Sequence, residues 1–139
     1  MLSDEVYHRS VYDRNHAPSF LEFAGDDDPL IVVNGFSKAW AMTGWRLGWM
    51  VTPKGYEEQM AVLCEIYNTG APSFIQLAGI AALEKGEAAL NQLRLGYADS
   101  LAVANDIPGT HPRILPAVPG GALCAFSRLH GSDDHLAFI

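Results

Sequence analysis

Residues 31–49 read IVVNGFSKAWAMTGWRLGW, and this stretch contains the clearest strand signal of the chain. The run from Leu30 to Asn34 is continuously apolar and rich in β-branched residues. Such a run is typical of a strand that is buried on both faces, as in a parallel sheet. We expect this strand to deliver Lys38 to its C-terminal end. A further strand is predicted over residues 46–52, and it begins with Arg46 between glycines and tryptophans.

The residues that carry chemistry around this stretch are a lysine, an arginine, an acid and a phenol. Asp4 and Tyr7 stand close together near the start of the chain, ahead of Lys38 and Arg46. A lysine can form an imine with an aldehyde, and an arginine can clamp a phosphate group with its two-pronged guanidinium. With an acid that faces a ring nitrogen, these are the parts that a pyridoxal phosphate (PLP) enzyme needs.

Composition bounds the class of protein. A length of 139 residues suits one domain, and fractions of 49% hydrophobic and 18% charged residues are typical of a globular protein. The net charge of -7, without a basic stripe, argues against a nucleic-acid partner. No apolar stretch approaches the length of a membrane span, and no signal pattern opens the chain, so we expect no membrane partner and a cytoplasmic location. Cys64 and Cys124 are both expected to be buried thiols in a reducing compartment.

Hydrophobic spacing predicts further elements downstream of residue 52. Apolar residues recur there at helical intervals, and prolines and glycines interrupt the pattern. The predicted elements are a helix that begins at Pro53, a helix from Ser73 to Gly86, a longer helix with an apolar seam from Leu90 to Ala104, a connection over residues 106–119, a strand over residues 121–129 and a helix from Ser132.

The ordered motifs resemble those of the class I/II aminotransferases, which are PLP-dependent and have the aspartate aminotransferase-type fold. The segments that match are Asp4-Glu5-Val6-Tyr7, Gly35-Phe36-Ser37-Lys38 and Met42–Gly48, with softer agreement at Ala71-Pro72-Ser73 and residues 119–126. Three separate elements therefore occur in the family's order and spacing, and the resemblance spans nearly the whole chain.

The resemblance implies an α/β fold in two parts. Residues 1–105 would form the C-terminal part of the PLP-binding large domain, a mostly parallel sheet with helices, together with connecting helices. Residues 106–139 would begin the small C-terminal α+β domain. The chain would be a fragment, because the family's phosphate loop and ring-stacking aromatic lie upstream of Asp4 and its carboxylate-binding arginine lies downstream.

The resemblance also implies a role for each site residue. Lys38 is similar to the catalytic lysine, which holds PLP covalently and, once free, moves a proton at the substrate Cα. Asp4 is similar to the acid that keeps the pyridine nitrogen protonated, and Tyr7 to the phenol that bonds the 3′ oxygen. Ser37 and Arg46 resemble phosphate ligands, so the implied cofactor-binding set is Asp4, Tyr7, Ser37, Lys38 and Arg46.

The implied activity is transfer of an amino group between an amino acid and a 2-oxo acid, in a homodimeric parent. Elimination, decarboxylation or racemisation on the same fold stays open, as does a catalytically inert fragment. At single positions, Arg46 could instead stack on a neighbouring tryptophan, and Ser37 could bond its own backbone. Gly35 stands where the family often has a second small hydroxyl. The histidines have no metal-ligand spacing, so no metal is expected.

Overall fold

A computed structural model describes residues 1–109 and 112–131 of the chain. Strands and helices alternate in the first part of this region, and helices dominate afterwards. The elements in chain order are β1 (Leu2–Asp4), a 3-10 turn (Phe20–Glu22), β2 (Ile31–Gly35), α1 (Phe36–Ala39), a second 3-10 turn (Thr43–Trp45), β3 (Gly48–Val51), α2 (Glu57–Asn68), α3 (Ser73–Lys85), α4 (Glu87–Gly109), β4 (Ile114–Leu115) and β5 (Arg128–Leu129).

Strand β2 is the middle strand of a three-stranded sheet, with β1 and β3 on either side. β1 runs parallel to it, with Asp4 opposite Val33. β3 runs antiparallel, with Gly48 opposite Gly35. The link between β2 and β3 contains only short helical turns and brings the chain straight back alongside β2, which suits an antiparallel pair. The predicted apolar strand is therefore confirmed, and only one of its two neighbours is parallel.

The core lies around β2 and the turn that follows it. Glycine at position 79 lets α3 approach this core, because a Cβ atom there would lie 2.5 Å from Leu47 Cδ2 and 3.2 Å from Phe36 Cζ. The Phe36 ring also contacts Trp40 and Trp49, with centroid separations of 5.2 Å in both pairs. The buried hydrophobic residues are Leu30, Val32, Phe36, Ala39 and Leu90.

Helix α4 confirms the long predicted helix and its apolar seam. Leu90 has 0% of its surface exposed. At the start of the helix, the Arg9 guanidinium donates to both Glu87 carboxylate oxygens at 2.8 and 2.6 Å. The helix continues to Gly109, across the boundary expected at residue 105, and the division into two domains stays a prediction.

Several expectations from the sequence were wrong. Helix α2 begins at Glu57 rather than Pro53, because Gly55 takes a φ of 89° that no α-helix contains. Residues 121–129 do not form one strand, because Gly121 makes an isolated bridge to Val11 and only Arg128–Leu129 pairs further. Both cysteines are exposed rather than buried. The helix predicted from Ser132 lies outside the described residues.

The apolar stripe of α2 faces outward. None of its residues is buried. Ile66 and Tyr67 are 71% and 79% exposed, and Phe74 and Leu77 of α3 are 67% and 66% exposed. The periodicity thus predicted the helix correctly but not what covers it. Of the helices in the described ranges, none is long and apolar enough to cross a bilayer.

Candidate active site

Lys38 lies on the short helical turn α1 that directly follows β2. The strand ends at Gly35, so the lysine does not end the strand as the sequence suggested. The chain turns because the amide of Trp40 donates to the carbonyl of Phe36 at 3.3 Å. Phe36 and Ala39 bury their side chains on the inner face of the turn, which leaves Ser37 and Lys38 half-buried at its edge.

The amine of Lys38 lies beside Tyr7. Its Nζ atom is 5.8 Å from the centroid of the Tyr7 ring, a distance at which a cation and an aromatic face attract each other. The two residues are distant in sequence. They meet because β1 and β2 are parallel, so the segments after their carboxyl ends emerge at the same edge of the sheet. This edge is where ligands bind in open α/β sheets.

Asp4 ends β1 at the same edge. Its Oδ1 atom accepts a hydrogen bond from the amide of Val6 at 3.1 Å, which turns the chain toward Tyr7. Asp4 and Tyr7 both line a surface cleft of about 380 Å³, which His8 also lines. The structure therefore brings the acid and the phenol to one concave surface, with the lysine next to the phenol.

Ser37 and Arg46 are joined through Thr43, a residue that sequence reasoning missed. The Arg46 guanidinium donates to the Thr43 carbonyl at 2.7 Å, and the Thr43 hydroxyl donates to the Ser37 carbonyl at 3.0 Å. Arg46 has a left-handed backbone, with φ 52° and ψ 43°. Such a conformation costs a residue with a side chain about 1–2 kcal/mol. The only signal in the sequence was the position of Thr43 between the two expected phosphate ligands.

The structure joins the expected site residues in two groups. One group holds Asp4, Tyr7 and Lys38, and the other holds Ser37 and Arg46. Ser37 and Lys38 are neighbours on α1, which connects the groups covalently. Among the described residues, no hydrogen bond joins the Arg46 side chain to Asp4, Tyr7 or Lys38.

The two cations of the site carry no acidic partner. Within the described ranges, the ion pairs involve Arg9, Arg14 and Lys54, and neither Lys38 nor Arg46 takes part. Their charges and donors, with the Ser37 hydroxyl, are available to an anion such as a phosphate group.

His8 occupies the wall of the cleft next to Tyr7. Its ring stacks on His16, with centroids 4.9 Å apart and planes inclined by 21°. Burial lowers the pKa of His8 below its ordinary value of 6.5, and the neighbouring His16 lowers it further. His8 is therefore a neutral ring at pH 7. No motif in the sequence points to a role for His8.

Comparison with known proteins gives a consistent set of relatives. The family model described as "Aminotransferase class I and II" matches residues 1–103. An aspartate aminotransferase of Pinus pinaster is 38% identical over 113 residues, which are 81% of this chain and 21% of the relative. An aspartate aminotransferase of Pyrococcus horikoshii is 34% identical over 135 residues, 95% of this chain and 34% of the relative.

Solved structures agree with the sequence relatives. The aspartate aminotransferase from Rhizobium meliloti superposes with a TM-score of 0.84 at 28% identity, over 94% of this chain and 33% of that one. The aromatic aminotransferase from Pyrococcus horikoshii superposes with a TM-score of 0.74 at 32% identity, over 87% of this chain and 32% of that one. The chain thus spans about a fifth to a third of the length of the curated relatives it matches.

Proposed function

Because the chain belongs to the class I and II aminotransferase family, we propose that its protein transfers an amino group between an amino acid and a 2-oxo acid. The observation that carries this proposal is the approach of the Lys38 amine to the Tyr7 ring at the edge where Asp4 ends β1. A lysine, a phenol and an acid from separate parts of the sequence meet there. This combination matches the chemical groups of a pyridine aldehyde cofactor.

The donor set also supports PLP as the cofactor of this family. When bound, PLP supplies a protonated ring that accepts the electrons of the substrate Cα. Lys38 and Arg46 have no acidic partner in the described part of the chain, so their charges are free for an anionic ligand.

Each site residue has a defined role in the proposed reaction. Lys38 would hold the cofactor through its aldehyde carbon, with loss of water, and its freed amine would carry a proton at the substrate Cα. Asp4 would accept a hydrogen bond from the ring nitrogen, and Tyr7 would donate one to the 3′ oxygen. Ser37 and Arg46 donate to the phosphate. Thr43 links Ser37 to Arg46, because its hydroxyl donates to the Ser37 carbonyl and its carbonyl accepts from the Arg46 guanidinium.

The 139-residue chain on its own binds PLP weakly and does not turn over in this proposal. It spans about a third of the solved relatives, and the apolar side chains of α2 and α3 face solvent. The same exposed faces support a homodimer, and the two free cysteines support a reducing, cytoplasmic location. The proposed division into large-domain residues 1–105 and small-domain residues 106–139 follows the family resemblance.

Absorbance spectroscopy with PLP tests the proposed function. The purified chain is titrated with PLP, and we expect a weak, saturable band from cofactor held by Lys38. Lys38→Ala should remove this band, and Lys85→Ala is the matched control that should keep it. A band that survives Lys38→Ala would overturn the assignment. Transamination assays with pairs of amino acids and 2-oxo acids then separate this activity from other PLP chemistries.

A further inference from the structure

We propose that Tyr12 is a positioning residue that fixes the loop carrying Tyr7. It acts through a latch, which we define as the contact between residues 10–12 and residues 120–122. An isolated antiparallel bridge between Val11 and Gly121 lies at the centre of the latch. The inference rests on the proposed function in one respect, because positioning of Tyr7 affects binding only if Tyr7 faces the cofactor.

Three hydrogen bonds flank this bridge. The amide of Tyr12 donates to the carbonyl of Gly120 at 2.9 Å, and the amide of Ala122 donates to the carbonyl of Ser10 at 2.7 Å. The Tyr12 hydroxyl donates to the carbonyl of Ala122 at 2.6 Å. Ala122 is therefore held at both its amide and its carbonyl, and Tyr12 supplies the bond made by a side chain.

The latch continues directly to Tyr7. The carbonyl of Ser10 accepts the hydrogen bond from the Ala122 amide, and the amide of Ser10 donates to the carbonyl of Tyr7 at 2.8 Å. Ser10 is only 3% exposed, so water cannot readily replace these bonds. Tyr7 and Ala122 both line the cleft of about 380 Å³ that contains Asp4. A shift of the latch would therefore move the phenol and one wall of the cleft together.

Backbone geometry shows that the latch is tightly fitted. A Cβ atom at Gly121 would lie 2.6 Å from the Ser10 carbonyl oxygen and 2.8 Å from the Val11 Cα, whereas one at Gly120 would meet nothing within 4 Å. Ala122 has a φ of 69°, in the left-handed region that disfavours alanine. Strained residues of this kind persist where the surrounding contacts fix them, and they cluster at functional sites.

The surroundings of Tyr12 keep its hydroxyl a donor. Burial raises the pKa of Tyr12 above its ordinary value of 10.0, and nearby Tyr97 raises it further. A tyrosine phenol is already protonated at neutral pH, and this upward direction keeps Tyr12 a donor to higher pH. Tyr12 lines a second recess together with Tyr97 and Leu101 of α4.

Amide hydrogen exchange tests the latch without any ligand. Tyr12→Phe removes only the hydroxyl, and Gly121→Ala forces the two segments apart. Both should speed exchange at the amides of Ser10 and Ala122 about three- to tenfold, the effect of one lost hydrogen bond. The matched controls are Gly120→Ala and Tyr67→Phe, which should leave these rates unchanged. Unchanged rates in Tyr12→Phe would overturn the latch, even if Gly121→Ala fails to fold.

A PLP titration separates positioning from general stability. Tyr12→Phe should weaken PLP binding about three- to tenfold and shift the pH dependence of the bound cofactor's absorbance, because Tyr7 no longer meets the 3′ oxygen in a fixed geometry. A purely structural role would lower the folded fraction and leave that pH dependence unchanged, which would refute positioning. If PLP does not bind the unaltered chain at Lys38, the proposed function fails, and hydrogen exchange still decides whether the latch exists.

Discussion

A methyl group at position 48 should disturb the pairing that places Lys38. Gly48 lies opposite Gly35, the last residue of β2 before the turn that carries the lysine. A Cβ atom at Gly48 would lie 2.7 Å from the backbone oxygen of Asn34. Neither atom belongs to a flexible side chain, so β2 or β3 must move. Overpacking of this kind destabilises a protein by about 1–3 kcal/mol.

Urea unfolding measures the effect of Gly48→Ala. We expect a loss of roughly 2 kcal/mol, equivalent to about a thirtyfold change in the folding equilibrium constant. Intrinsic tryptophan fluorescence should follow the unfolding transition, since Trp49 is adjacent to the substituted residue. Gly44→Ala is the matched control, because a Cβ atom there meets nothing within 4 Å, and its effect should stay within about 0.5 kcal/mol. Equal stabilities of the two variants would refute the argument from the close strand contact.

Three further predictions concern the core, the site and pH. Leu90→Ala should lower the free energy of unfolding by about 2–5 kcal/mol in urea titrations, because the side chain is 0% exposed, while Leu77→Ala, at 66% exposure, should change it by less than about 1 kcal/mol. Thr43→Val should weaken PLP binding about three- to tenfold in absorbance titrations, and Thr43→Ser should restore it, since both hydroxyls can donate to Ser37. His8 has a folded pKa below its unfolded value of 6.5, so the unfolded state binds the proton more readily and stability should fall as pH drops below about 6.5. Urea unfolding midpoints at pH 7 and pH 5.5 measure this loss of stability, and the difference between the two midpoints should be smaller in His8→Asn. An equal difference in both proteins would show that His8 does not cause the pH dependence.

Local sequence patterns correctly predicted several strands and helices of the chain. The apolar run before Asn34 formed β2, and the seam that contains Leu90 formed α4. Gly86 ends α3 as expected, where the turn requires a residue without a side chain near the Ala82 carbonyl. Hydrophobic periodicity and helix-end signals depend on residues that are close together in sequence. These elements can therefore be predicted from the sequence alone.

Long-range contacts were not predictable in the same way. Cys64 lies in a helical stripe that the pattern alone would bury, yet α2 has no buried residue, since burial depends on what packs against a helix. The antiparallel direction of β3 depends on a turn rather than on the strand's own residues. For the site, the order of Asp4 and Lys38 suggested the constellation. The bonds of Thr43 and Tyr12 to distant carbonyls have no periodic signal.

Whether Lys38 is the lysine that captures PLP can be measured against the other lysines of the chain, which are Lys54 and Lys85. The chain is incubated with substoichiometric PLP, reduced with borohydride, and mapped by peptide mass spectrometry. Lys54 is paired with Asp26 and is largely exposed, so it serves with Lys85 as an internal reference. We expect the reduced cofactor to accumulate on Lys38 at several times the level found on Lys54 or Lys85. Equal labelling of all three lysines would contradict it.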